Sequence, residues 1–277
     1  VGMLPVSFPS LQKLNTFVVA IYDEVRGKYV YLDGSMNVSA LNVLPVELSV
    51  TKARILSADI PENKKWVNLQ EIPTNQIFMK ISANAQGNQI TGRRTTILKG
   101  YDALEYRKEY QTKDSLVNKQ ELVKEKLAIS NLKRTEMEDD FVTIQEDLDF
   151  ILEAEKSEDH IYINPMLFPQ LTKNPFIQSE RILPVEFPYL YRLNLSCALT
   201  LPEGYEVEEL PQSQSIRSEG DGLQCKYMIQ QQGNTILLNY VFHLKGYIFL
   251  SEQYKQLQEL WAKVIEKNNA LIVLKKI

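Results

Sequence analysis

Short runs in which apolar and polar residues alternate fill most of the chain, and a period of two is the pattern of a half-buried strand. Phe17-Val18-Val19-Ala20-Ile21 and Lys28-Tyr29-Val30-Tyr31-Leu32 flank the turn-rich Asp23-Glu24-Val25-Arg26-Gly27 and predict a hairpin. Strands are also expected at 46–50, 54–56 and 66–69, which closes a first unit over residues 1–72. A second unit, 73–175, starts with Ile77-Phe78-Met79-Lys80-Ile81, turns at Gln86-Gly87-Asn88 and returns through Ile90 to Ile97 as a tight antiparallel pair. Between 112 and 128 the period lengthens. Leu116, Val123 and Leu127 then share one helical face, and an amphipathic helix is expected. Alternation resumes at Phe141 and runs to Leu152, and His160-Ile161-Tyr162-Ile163 adds a last strand before Pro165, Pro169 and Pro175 interrupt any ladder.

The third unit, 176–277, carries expected strands at 191–199, 205–207, 223–229 and 235–242, separated by Gly-rich turns. Ser251 is the expected N-cap of a helix whose stripe is Tyr254, Leu257, Trp261, Val264 and Ile265, and Leu271 to Leu274 form a final strand. The expected class is mainly β with some α (α+β), as antiparallel β-sandwich-like domains with a few packed helices.

Composition narrows the function more than the fold. Thirty-one basic residues against 35 acidic ones give −4, without a basic block, so no nucleic-acid partner is expected. No apolar run approaches the ~18 residues of a membrane span, so no transmembrane segment is expected. No signal peptide is visible at the start, and a targeting signal further upstream stays open. Two cysteines, Cys197 and Cys225, cannot build a disulfide framework; they are either one bridge or two separate buried thiols. His160 and His243 lie far apart without carboxylate or thiol at ligand spacing, and Glu136, Glu138, Asp139 and Asp140 lack the alternation of a calcium loop. No cofactor or metal is expected. Phe187, Tyr189 and Tyr191 are either an aromatic binding surface for a glycan or part of a packed edge segment, and Trp261 is expected in the core.

Residues 9–20, with Leu14-Asn15-Thr16, then Tyr29 to Ser35 and Leu44-Pro45, resemble the C-terminal half of a transglutaminase-like core of papain-type Cys-His-Asp design. In that family a strand histidine is the general base and an aspartate after the next strand orients it. The resemblance places Thr16 at the histidine and Asp33 at the aspartate, with the nucleophilic cysteine upstream of Val1. A threonine hydroxyl neither lowers a thiol pKa nor returns a proton, so the two positions read as vestiges, and without the histidine Asp33 reads first as a turn former before Gly34-Ser35. Residues 161–165, 181–187, 199–211 and 274–276 resemble the uncharacterised domain that follows transglutaminase-like cores in Bacteroidetes proteins.

Together these imply a periplasmic or cell-surface location and a non-catalytic accessory, binding or structural module of an exported transglutaminase-like protein. Its partner would be a protein or glycan of the cell envelope. Two other readings stand beside it: a fragment of an active thiol peptidase or acyltransferase whose cysteine lies upstream, and a carbohydrate-binding module. Strand edges exposed at the first unit would favour a dimer.

Overall fold

The fold is known from a computed structural model, which describes residues 17–34, 38–45, 48, 50, 52–57, 59–61, 65–69, 74–110, 126–137 and 142–277. The expected hairpin forms as β1 (Val19–Asp23) and β2 (Lys28–Leu32), and a short pair follows, β3 (Ala53–Arg54) with β4 (Trp66–Val67). Tyr31, Leu44 and Leu69 are the small core of this part. The expected strand at 46–50 and Thr16 fall largely or wholly outside the described residues.

Next come β5 (Thr74–Gln86), β6 (Gln89–Lys99), α1 (Tyr101–Glu109), β7 (Leu127–Met137), β8 (Thr143–Glu153), β9 (Glu155–Lys156) and β10 (His160–Ile163). The chain then continues through β11 (Val185–Glu186), β12 (Leu190–Thr200), β13 (Tyr205–Glu209), β14 (Gln214–Arg217), β15 (Leu223–Gln232), β16 (Thr235–Leu244) and β17 (Ile248–Phe249). It ends with α2 (Tyr254–Asn268) and β18 (Ile272–Lys276).

Eight of these strands form one sheet in the order β14-β15-β16-β12-β5-β6-β8-β7. Every junction is antiparallel except the middle one, where β12 runs parallel to β5 from the Leu190–Thr74 pair to the Thr200–Asn84 pair. Strands from both sides of the boundary expected near residue 175 therefore share one ladder. The hairpin turns use Gly87 and Gly233 at positive φ, 59° and 57°, where a side chain would be strained.

Strict alternation gives the sheet two unlike faces. Ile77, Met79 and Ile81 of β5, Leu193, Leu195 and Cys197 of β12, and Leu238, Tyr240 and Phe242 of β16 point to the inner face and are buried. Against them pack the α2 stripe of Tyr254, Leu257, Trp261 and Val264, and Ile161, Ile163, Ile272 and Leu274 from a second sheet, β13-β18-β10-β9. Trp261 sits at the aromatic centre, 5.2 Å from Phe176, 5.3 Å from Phe242 and stacked on Phe187 at 6.0 Å, and is buried as its place in the stripe predicts. The α+β class holds, with mostly antiparallel sheets and, among the described residues, two α-helices.

Two local expectations change. Residues 112–125 of the expected helix lie outside the description, and its last two positions, Leu127 and Ala128, open strand β7 instead. Upstream of these residues, α1 is short and weakly amphipathic; Gly100 at φ 75° turns the chain into it, and the buried Asn75 side chain accepts the Asp102 N–H at 2.9 Å. Ser251 does not cap α2: a 3₁₀ turn over Ser251–Gln253 precedes it, and Gln253 Oε1 accepts the Leu250 N–H at 2.8 Å.

On edge strand β7 a bulge between Ser130 and Lys133, with Asn131 at φ 52°, breaks the register with β8. On the inner face Gly92 admits Phe150: a Cβ there would lie 2.5 Å from the Ser82 carbonyl oxygen and 2.8 Å from Phe150 Cζ. Gly92→Ala is expected to destabilise the protein by about 1–3 kcal/mol through overpacking, read as a lower urea midpoint with an unchanged slope.

Candidate functional site

The two thiols are the first chemistry to place, and both are free and buried on the inner face. Cys197 on β12 lies opposite Leu238, and Cys225 on β15 lies opposite Phe242, which in turn faces Leu193. They are thus two strands apart and offset by four residues, about 9–10 Å across and about 13 Å along the sheet, too far for a disulfide. Burial pushes the Cys197 thiol up to about 12 and the Cys225 thiol up to about 11.

The two imidazoles sit in different sheets. His160 Nε2 lies 3.0 Å from Glu208 Oε2, and Lys275 Nζ is 3.5 Å from the other oxygen of the same carboxylate. His243 lies on β16, its pKa lowered by burial and by the neighbouring charges of Lys245 and Arg192, so it is neutral at neutral pH. Among the described residues no three His, Cys, Asp or Glu side chains are grouped to hold a metal ion.

Of the positions singled out by resemblance, Thr16 lies outside the described residues, and Asp33 follows β2 as a buried carboxylate, 5% exposed. The aromatic trio divides between two clusters. Phe187 and Tyr191 pack on the main core, against Trp261 and Phe242 respectively, whereas Tyr189 stacks on Tyr101 of α1 at 4.7 Å. Burial raises the phenol pKa of both tyrosines. Glu136 is a β7 residue paired with Arg107 at 2.9 Å and with Arg134; residues 138–140 lie outside the description.

A polar cluster that no spacing announced lies under the sheet. Arg94 Nη2 donates to Glu146 Oε1 at 2.6 Å, and the Tyr106 hydroxyl donates to Glu146 Oε2 at 2.7 Å, with Glu146 only 3% exposed. The guanidinium also lies 4.5 Å from the centre of the Phe168 ring. Thr96 Oγ1 and Arg94 Nε, both buried, have no hydrogen-bond partner among the described residues, and they line a cavity of about 170 Å³ with Leu98 and Gln170. The alternating sequence Arg94-Thr95-Thr96 hid this: the pattern reads as surface strand, and only the order of the strands turns Arg94 inward beside Glu146.

The outer face is the second feature. Its residues line up in rows across the strands: Ile97, Phe78, Asn194, Val241 and Lys226 in one, and Thr95, Lys80, Ser196, Asn239 and Met228 in the next. The two rows enclose an open groove of about 400 Å³ walled by Phe78, Ile97 and Val241, in which Asn194 Nδ2 has no partner among the described residues. No described side chain forms a catalytic pair in this groove; it offers shape, amides and a cation.

Replacing Arg94 by Met strands Glu146 in the apolar interior and is expected to cost about 3–5 kcal/mol, while Arg94→Met with Glu146→Leu recovers most of that loss. Urea unfolding of the single and double variants, set against wild type, measures the difference.

The family pattern of DUF3858, a domain of unknown function with a solved structure, matches residues 159–274. That range takes in 161–165, 181–187 and 199–211, the segments that resemble an uncharacterised Bacteroidetes domain, and leaves residues 1–158 outside the match. The chain is also similar to a protein from Parabacteroides distasonis ATCC 8503 that is provisionally described as a protease, at 18% identity and a TM-score of 0.36. That similarity covers 43% of this chain and spans 24% of the other, about a quarter of its length. Comparison with curated proteins gives no match.

Proposed function

We propose that this chain is a non-catalytic binding module of an exported, transglutaminase-like envelope protein. The observation that carries the reading is the state of its thiols. A cysteine nucleophile works as thiolate, at an accessible site with an imidazole or other cation beside it. Cys197 and Cys225, the two cysteines of the chain, are instead sealed among Leu, Ile and aromatic side chains, and burial alone raises Cys197 to about 12. The partners that touch their electrostatics are phenols, Tyr227 for Cys197 and Tyr240 for Cys225, and not imidazoles. What the fold offers instead is an extended sheet face with an open groove, the form of a surface that holds a partner.

The buried state of Asp33 supports a second reading, in which a cysteine and a base elsewhere in a longer protein complete a site at the first hairpin. The two readings separate on one chemistry. Alkylation of Cys197 and Cys225 by iodoacetamide at pH 8 is expected to run at least about 100-fold slower in the folded chain than in denaturant, and to stay slow up to pH 9, because a buried thiol ionises only well above that range. Rapid native labelling of either cysteine would overturn the module reading. So would peptide cleavage or cross-linking by the full-length protein that is lost with Asp33→Asn.

A further inference from the structure

We propose that the outer face of the eight-stranded sheet is a docking surface for an extended, acidic polypeptide segment, read as acid–x–apolar–x–acid. The inference rests on the reading of this chain as a binding module and names the surface and partner class for it.

Charge is sorted across this face. Read by alternation, the outer positions of β5, β12, β16, β15 and β14 include Lys80, Arg192, Lys226 and Arg217 and not a single carboxylate, in a chain whose net charge is −4. Outward carboxylates begin on β8, two strands beyond: Asp147 and Asp149 are already engaged by Thr95, Gln145, Arg93 and Asn131, and Glu153 stands at the far end of the strand opposite Gln89. Arg217 is held by Asp221 at the sheet margin, 3.5 Å away. Lys80, Arg192 and Lys226 are exposed and make no ion pair among the described residues.

These three cations border the groove on three sides. Lys80 lies two residues beyond Phe78 on β5, Arg192 two residues before Asn194 on β12, and Lys226 opposite Val241 on the next strand. Because Lys80 pairs in register with Ser196, Arg192 is displaced from it by four residues along the seam, about 13 Å. That is the separation of side chains i and i+4 in an extended peptide, with residue i+2 between them on the same side. Carboxylates at i and i+4 therefore reach Lys80 and Arg192 while an apolar residue at i+2 enters the wall of Phe78, Ile97 and Val241, and the orphan Asn194 amide donates to a backbone carbonyl. An anionic glycan fits less well: Phe78 is the one outward aromatic ring the groove offers for stacking, and Ile97 and Val241 beside it are aliphatic.

The test uses a fluorescein-labelled peptide containing Glu-Ser-Val-Ser-Glu, its Lys-Ser-Val-Ser-Lys counterpart, and polygalacturonate, with fluorescence anisotropy as readout. Saturable binding of the acidic peptide is expected, weakening with salt and by about tenfold or more in Lys80→Glu/Arg192→Glu, with no binding of the basic peptide. Both substituted residues are exposed, so an unchanged Tm shows that the fold is intact. No saturable binding, or equal binding to the charge-reversed variant, overturns the proposal. Binding of polygalacturonate in place of the peptide, or a wild-type dimer in light scattering that the same substitutions dissolve, overturns it in favour of a glycan or of a second copy. The thiol-labelling result does not enter this readout, so failure here is distinguishable from failure of the module reading.

Discussion

The parallel seam between β5 and β12 is the constraint on which the rest of the structure depends. On each side of it lies a four-stranded antiparallel array, β14 to β12 and β5 to β7, and the seam joins them into one sheet. A parallel pair cannot be closed by a tight turn and needs a long connection. Here the chain between β8 and β12 carries β9, β10 and β11 and lays Met166, Leu167, Phe168 and Phe176 over the inner face. The connection that the topology demands is therefore also part of the cover. With α2 and the second sheet it fills that one side, and the opposite side is left with the groove.

One-sided cover also explains the interior chemistry. Inner positions of the seam strands and of β15 and β16 are almost all apolar, and the thiols there behave as small hydrophobic side chains whose ionisation burial suppresses. Where the cover thins, at β6 and β8, the inner positions become Arg94, Thr96 and Glu146, and α1 brings Tyr106 to complete their bonding. An ion pair in that position contributes little net stability against an apolar substitute, yet it fixes how α1 meets the sheet, because neither partner tolerates the loss of the other.

Much of this was legible in the residues. The hairpin at Gly87, the hairpin at Gly233 and the stripe of α2 all follow from local pattern, since turn chemistry and side-chain period are properties of neighbouring residues. Pairing between residues 116 positions apart is not, and the prolines at 165, 169 and 175 mark a break in the ladder without saying that β5 and β12 meet beyond it. Leu127 and Ala128 read as the end of a helix because Lys and Glu surround them, whereas an edge strand tolerates those residues as readily. The candidate site was the least legible part. Phe78, Asn194 and Val241 are unremarkable in their own segments, and become one surface only through registers that no local pattern specifies.

The bulge in β7 bears on what the sheet does at its margin. A strand with unsatisfied amides on one side is a template for further strands, and a wide sheet with a regular edge would make an efficient seed. At Asn131 the left-handed backbone and the shifted register disturb that template, and Lys133 follows with an exposed positive charge. The same irregularity that locally weakens the β7–β8 ladder thus makes this rim a poor template for a further strand.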